Sequence, residues 1–394
     1  MNLFESRYFN INRLLMSLIG LWPYQKPRSR RIKMILVSIL LAEGITAQLT
    51  PFITHEYSTS LVIEVFSFSI LCLIYVLKYN TVYFNLKHIR EFMECIRVDW
   101  NELQDEEELE IIRKYARTAR TYLYAFVGVS YPGTVAYISL PFLPDILDIV
   151  APLNESRTRI LPFPVEYFLD EQKYFYLLLS HSIVAIIIGI VTIVTTETLT
   201  FAYFCHICGM FEIVSYRIMS AFGKSLSVLL TLNKENTIRI KLIAAVKIHQ
   251  KAFELFEILT STLSLSYFTL IILGVASLSI NLFRLFQVTT LSEQKKEIVL
   301  YIVFVIGHFY YMFMCNYMGQ IVIDSSTDIF KKACDTQWYA TSSRTQKLML
   351  FIMQRSMKSC KIVMGKLYYV SLEQFTTLAS MSLSYFTVIY SVQQ

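Results

Sequence analysis

The sequence predicts an all-α membrane protein of seven transmembrane helices, with the N-terminus cytoplasmic, the C-terminus extracellular and a helical bundle on the cytoplasmic side. Three observations carry that prediction. Of the 394 residues 55% are hydrophobic and only 17% charged, whereas a soluble globular chain carries about 25% charge. Seven segments supply the roughly 20 mostly apolar residues that a helix needs to cross the hydrocarbon core; they are 34 to 53, 61 to 79, 121 to 143, 176 to 203, 259 to 285, 298 to 320 and 370 to 391. The 36 Lys and Arg alternate between the connections as seven, none, seven, three, seven, two, eight and none, with two more inside the apolar runs.

That alternation sets the orientation. Short loops rich in Lys and Arg stay in the cytoplasm, so the N-terminus lies inside and, after an odd number of crossings, the C-terminus outside. The one Asn-x-Ser/Thr sequon, at Asn154, falls in the third-to-fourth connection, which this orientation exposes to glycosylation. The net charge of +6 is loop chemistry of this kind, and no nucleic-acid partner is expected.

The elements follow in chain order. Residues 1–33 form a cytoplasmic N-terminus; its apolar stretch 14 to 22 is too short to span and reads as an interfacial helix. Residues 34–206 hold the first four spans. Glu43 lies near the middle of the first, and Glu197 near the inner end of the fourth, close enough to the interface to be hydrated. The second offers Phe66 and Ile70. Between them and the third span, residues 101 to 120 place acids early and bases late, which complements a helix dipole and continues the third span as helix into the cytoplasm. Ser130, Gly133 and Tyr137 share a face of that span, where Pro132 interrupts the helix. On the fourth span stand His181, Val184 and Ile188, and on the sixth Tyr301, Phe304 and His308. Together these outer-half residues are either an apolar ligand pocket with a few polar groups or ordinary core.

Residues 207–258 carry apolar and basic side chains at helical spacing and extend the fourth and fifth spans into the cytoplasm. Residues 259–320 hold the fifth and sixth spans, and 321–369 a further cytoplasmic region with an amphipathic helix from 344 to 366. The last span, in 370–394, is the chemically distinctive one. Thr377, Ser380, Ser384, Thr387 and Ser391 recur at spacings of three and four, which puts five hydroxyls on one helix face. That face is either a pore wall or a tight seam between helices.

Several functions are disfavoured. The orientation is opposite to that of a G-protein-coupled receptor, and neither an Asp-Arg-Tyr triplet nor an Asn-Pro-x-x-Tyr motif occurs. The seven cysteines fall in spans or on the cytoplasmic side, so no extracellular disulfide is expected. Cys205-His206-Ile207-Cys208 has a ligand-like spacing without a second pair, and a structural zinc needs four ligands; no metal or cofactor is expected. With no phosphate loop and no paired catalytic carboxylates, neither is an enzyme.

Several stretches resemble the insect odorant receptor family. They are Trp100 with Asp105, Glu106, Glu107 and Glu108, then Tyr115-Ala116; Leu161-Pro162-Phe163-Pro164 before the fourth span; Cys315-Asn316-Tyr317-Met318-Gly319-Gln320 with Ala333 and Trp338-Tyr339; and the closing Ser384-Tyr385-Phe386-Thr387-Val388-Ile389. The resemblance implies an insect odorant-receptor-like channel fold: a subunit of a tetrameric, odorant-gated, non-selective cation channel in the plasma membrane of olfactory neurons. It implies partnership with co-receptor subunits and a small, hydrophobic, volatile ligand. In that family the cytoplasmic helices form the anchor where subunits meet, and the last helix lines the pore. Aligned on Tyr385-Phe386, Val388 falls at the hydrophobic gate, with Ser391 and Val392 at adjoining lumen positions and Ser384 and Thr387 on the same helix. The shared co-receptor of that family has a long insertion between its fourth and fifth spans, whereas here that connection is mostly accounted for by helix. The end lacks the Gln-Phe of gustatory receptors. An odorant-tuning subunit is therefore expected; a gustatory-type channel and a seven-helix receptor without a pore are the alternatives.

Overall fold

The computed structural model describes residues 9–151, 157–223, 232–290 and 298–393. Asn154 lies outside them. The helices are α1 (Asn10–Leu18), α2 (Pro27–Leu49), α3 (Pro51–Thr54), α4 (Thr59–Phe84), α5 (Leu86–Glu102), α6 (Glu106–Ser139), α7 (Leu143–Val150), α8 (Phe175–Phe222), α9 (Leu232–Thr290), α10 (Ile298–Cys334), α11 (Ser343–Ser356) and α12 (Leu372–Gln393). Among the described residues seven helical segments are long and apolar enough to cross a membrane.

Length alone separates membrane from bundle. At 1.5 Å per residue, the 48 residues of α8 reach about 72 Å and the 59 of α9 about 88 Å, while the hydrocarbon core is about 30 Å thick. Both helices therefore project far beyond it, as the helical spacing of 207–258 predicts. Their projecting ends meet α5, α11 and the start of α6, and this end of the molecule is its base. The helix starts are sequence-coded: Pro27 opens α2, the Ser58 hydroxyl accepts the Leu61 amide at 3.1 Å before α4, and Asp105 accepts the Glu107 amide at 2.9 Å before α6.

α8 is the axis of the fold. Every residue from 194 to 211 is buried, as expected of a helix that is apolar on all sides, with α4, α6, α9 and α10 packed around it. Charged side chains staple the base. Arg217 on α8 grips Glu108 on α6 with Nε and Nη2, at 2.6 and 2.8 Å, and Lys332 on α10 meets Glu212 at 2.9 Å. Asp99 on α5 accepts from His206 Nε2 at 2.8 Å and is paired with Lys251 on α9. Burial pushes the Asp99 carboxyl up, but its bonds to His206 and Lys251 outweigh that and hold it below the usual carboxylate range.

The stretch 14 to 22, expected to be interfacial, is docked on the bundle along one side: Leu15, Met16, Leu21 and Trp22 are buried while Leu14 and Leu18 stay exposed, and Asn12 donates to Thr198 of α8 at 3.4 Å. One expectation is corrected. The amphipathic helix expected from 344 to 366 ends at Ser356. Beyond it β1 (Val363–Met364) and β2 (Tyr368–Tyr369) form an antiparallel hairpin with Val363 opposite Tyr369. Gly365 and Lys366 both take left-handed φ, at +59° and +63°, which no helix continues through. Gly365 sits against the Phe268 ring, and a Cβ on Gly319 of α10 would come 2.2 Å from the Val370 carbonyl oxygen. The hairpin is thereby seated on α9 and α10, and it fixes where α12 begins.

Candidate functional site

At the end of the bundle opposite the base, an aromatic cluster joins α4, α6, α10 and the 157–174 segment. Phe68 is its centre, with ring centroids 5.6 Å from Phe304, 6.2 Å from Phe163 and 6.5 Å from Tyr301. Tyr137 lies 5.6 Å from Phe304, and its hydroxyl donates to the Pro162 carbonyl at 2.5 Å. That bond places the Leu161-Pro162-Phe163-Pro164 stretch as a cover over the cluster. Gly133, one turn before Tyr137, has no atom within 4 Å of where a Cβ would stand, so its position on α6 is open. The cluster combines apolar rings with a few hydroxyls, the chemistry that holds a small, uncharged, largely apolar molecule.

Three of the residues singled out in the sequence, Tyr137, Tyr301 and Phe304, thus meet in one place. Ser130 is half-buried on the same helix as Gly133, its carbonyl engaged by Thr134 at 2.7 Å. Phe66 does not join them: it is 38% exposed and packs on Phe52. Phe68, two residues on, takes the central position and was not singled out. Ile70 turns instead to Ile74 and Leu270. Val184 is exposed, and Ile188 packs against the main core. His181 stands at the cluster's edge, hydrogen-bonded to Tyr167 at 2.8 Å with its other nitrogen 3.5 Å from Glu43. His308 is held between the Phe304 carbonyl (2.7 Å) and the Ser277 hydroxyl (2.9 Å), as a satisfied core histidine.

Glu197 is not hydrated at an interface. It is 1% exposed and forms an ion pair with Lys78 of α4, equally buried; Lys78 Nζ also lies 3.9 Å from the centroid of the Tyr267 ring, and the Tyr311 hydroxyl donates to Glu197 at 2.9 Å. A charge in the apolar layer is tolerated only with such partners. The pair joins α4 to α8, with α9 and α10 closing over it. Cys205 and Cys208 are buried in the apolar core, and the neighbouring His206 is bonded to Asp99.

α12 presents its hydroxyl face away from its own chain. Leu378 and Ser382 are buried toward α9 and α10, and Phe386 and Tyr390 pack edge-on against Phe286 of α9 at 6.2 and 5.0 Å. Thr377, Ser380, Ser384, Thr387 and Ser391 are all exposed, and the hydroxyls of Thr377, Ser384, Thr387 and Ser391 bond back along the helix, as Ser384 to the Ser380 carbonyl at 3.0 Å. Val388, 57% exposed, and Val392 lie beside them. No helix of the same chain covers this face among the described residues.

The family profile described as 7tm Odorant receptor matches residues 58–383. The chain is similar to Odorant receptor 33b of Drosophila melanogaster, 20% identical over 316 residues that cover 79% of this chain and 77% of that protein. It is also similar to Putative odorant receptor 92a of the same species, 27% identical over 141 residues, 36% of this chain and 33% of that one. Among solved structures, that of the insect olfactory receptor OR5 from Machilis hrabei in complex with eugenol superposes with a TM-score of 0.78 over 97% of both chains at 14% identity. A second structure of the same receptor gives 0.73 over 98% of both. At that identity the likeness shows a shared fold.

Proposed function

The chain belongs to the seven-transmembrane odorant receptor family, and from that premise we propose that it is an odorant-tuning subunit of an odorant-gated, non-selective cation channel. It is an odorant receptor and a multi-pass membrane protein. The base lies in the cytoplasm, where the seven-none-seven distribution of Lys and Arg puts it, and α12 ends outside. The ligand is a small hydrophobic volatile, which enters among Phe68, Tyr137, Tyr301 and Phe304. OR5 of Machilis hrabei, which shares the fold, holds eugenol in its solved complex. Partner subunits, including the olfactory co-receptor, complete a heterotetramer in the plasma membrane of the sensory dendrite.

One observation carries the channel reading. Five hydroxyls of α12 stand exposed on a helix whose opposite side is packed, and lipid does not favour such a face. Neighbouring subunits do: four such helices around an axis place the hydroxyls on ions and bring Val388 to the constriction. Odorant binding favours the state in which the α12 helices part, and it shifts that equilibrium only by its differential affinity for the two states.

Recording odorant-evoked current from cells that express the chain with and without a co-receptor tests the proposal. Current is expected with the co-receptor and no GTP requirement. Val388→Ala should alter conduction or rectification and leave the ranking of odorants intact. A current that needs GTP, or no current with any partner over a broad odorant panel, would count decisively against it.

A further inference from the structure

A cavity of about 80 Å³ lies between α8, α9, α10, the hairpin and α12. On α10 its wall begins at Tyr311, seven residues beyond Phe304 of the aromatic cluster, so it is about 10 Å deeper than that cluster; it shares no residue with it. Most of the wall is apolar, including Leu270, Ile271, Met312 and Leu378. About 10 to 15 Å³ of such space accommodates one water, but a water also needs two to four polar partners, and these walls supply few.

The polar part of the wall is Glu197 with its neighbours. One carboxylate oxygen already takes Lys78 and the Tyr311 hydroxyl. Among the described residues the hydrogen bond to the other oxygen comes from the Cys315 thiol, at 3.9 Å, a weak donor at long range. The remaining wall hydroxyls are engaged, Thr200 with Tyr267 at 3.1 Å and Tyr368 with Asn316 at 2.7 Å. A buried carboxylate with an oxygen short of a donor accepts a hydroxyl. It repels a second anion. The charge of Lys78 already balances it, so a cationic ligand would add an uncompensated charge in the apolar layer.

We infer that this cavity is a second ligand site, which takes a small uncharged molecule, apolar apart from one hydroxyl donated to Glu197, such as a short alkylphenol. The occupant touches Leu378 of α12 and Tyr368 of the hairpin, and so acts at the point where α12 is seated. Binding stands on the cavity alone; the effect on α12 rests on the channel reading above.

The experiment reads binding without current. The full chain in nanodiscs is photolabelled with a 4-alkylphenol carrying a diazirine, and labelled peptides are mapped. Label is expected at 270–274 and 311–318. Excess 4-propylphenol should reduce it at least about tenfold while propylbenzene, which lacks the hydroxyl, barely competes, because a buried polar group left unpaired rejects the analogue. Gly274→Val, which fills the cavity from α9, should abolish the inner label and spare label at 300–304. Gly274→Ala adds one methyl at ordinary contact, 3.5 Å from Met312 Cε, and should weaken it several-fold if the valine variant fails to fold. Glu197→Gln should weaken competition by 4-propylphenol about tenfold. Equal competition by propylbenzene, persistence of the inner label in the glycine variants, or no label at 270–274 would each overturn the inference, whatever the channel recordings show.

Discussion

Removing the charge of Lys78 alone should cost more stability than removing the whole ion pair. In Lys78→Met the Glu197 carboxylate, 1% exposed, loses its counter-charge but stays buried, which costs about 3–5 kcal/mol. The lost contact with the Tyr267 ring, 3.9 Å from Nζ, adds to the loss, and the methionine sulfur returns part of it. Taking roughly 2.1 cal/mol/K per residue for the entropy of unfolding, the 394-residue chain has about 0.8 kcal/mol/K, so the unfolding midpoint should fall by about 4–6 °C. Lys78→Met/Glu197→Met replaces the pair by apolar volume, and such replacements are close to neutral; its midpoint should return to within about 2 °C of the native chain. Tryptophan fluorescence of the detergent-purified protein on heating measures both. Two single variants whose losses simply add in the double variant would refute the reasoning, since a coupled pair cannot behave as independent sites.

Three further outcomes are expected. Tyr137→Phe removes the hydroxyl bond to the Pro162 carbonyl, 2.5 Å long, a loss of about 1 kcal/mol; odorant half-activating concentrations should shift about fivefold, with cell-surface expression unchanged. Gly319→Ala drives a Cβ to 2.2 Å from the Val370 oxygen, backbone that cannot rotate aside, so it should lose about 1–3 kcal/mol, seen as a lower unfolding midpoint beside a Gly274→Ala control that changes little. The Asp99 carboxyl is held below its ordinary range in the folded state, so its stabilising contribution is full above the unfolded value of about 4 and fades as pH falls through the lower folded value. Midpoints measured on acidification should therefore drop more steeply for the native chain than for Asp99→Asn. Equal slopes would remove Asp99 from the account.

Much of the architecture was legible because its signals are strong and local. The seven apolar runs each match a helix, and charge order along 101 to 120 foretold that α6 begins well before its apolar part, at Glu106. Strands of two residues are another matter: β1 and β2 are too short to show any alternation, so the region read as continued helix. That Phe68 rather than Phe66 faces the aromatic cluster is illegible for a related reason. α4 is apolar on nearly all sides, so periodicity cannot tell which of two residues about 200° apart faces inward. Lys78 lies near the end of its apolar run, where a lysine normally reaches the interface, and nothing local to either residue links it to Glu197, 119 positions away.

The aromatic cluster and α12 share no helix, yet two helices touch both. α10 carries Tyr301 and Phe304, and its Phe313 packs edge-on against Phe375 of α12 at 5.7 Å. α9 carries Arg284, whose Nε donates to the Tyr301 hydroxyl at 3.2 Å and whose Nη2 lies 3.3 Å from Glu64 of α4. The adjoining Phe283 and, one turn on, Phe286 pack on Phe386 of α12 at 6.5 and 6.2 Å. Rings 5.6 Å apart are already in contact, so an odorant among Phe68, Tyr137 and Phe304 has to part α4 from α10. Arg284 is 3% exposed and bonded to both, and a buried guanidinium cannot stretch from its partners as an apolar contact can slide. Parting α4 from α10 therefore either pulls the buried guanidinium away from Tyr301 or from the 37% exposed Glu64, at a cost of about 1.5–3 kcal/mol for a hydrogen bond to a charged group, or carries α9 along. The second is cheaper, and it moves the surface on which Phe386, two residues from Val388, is packed.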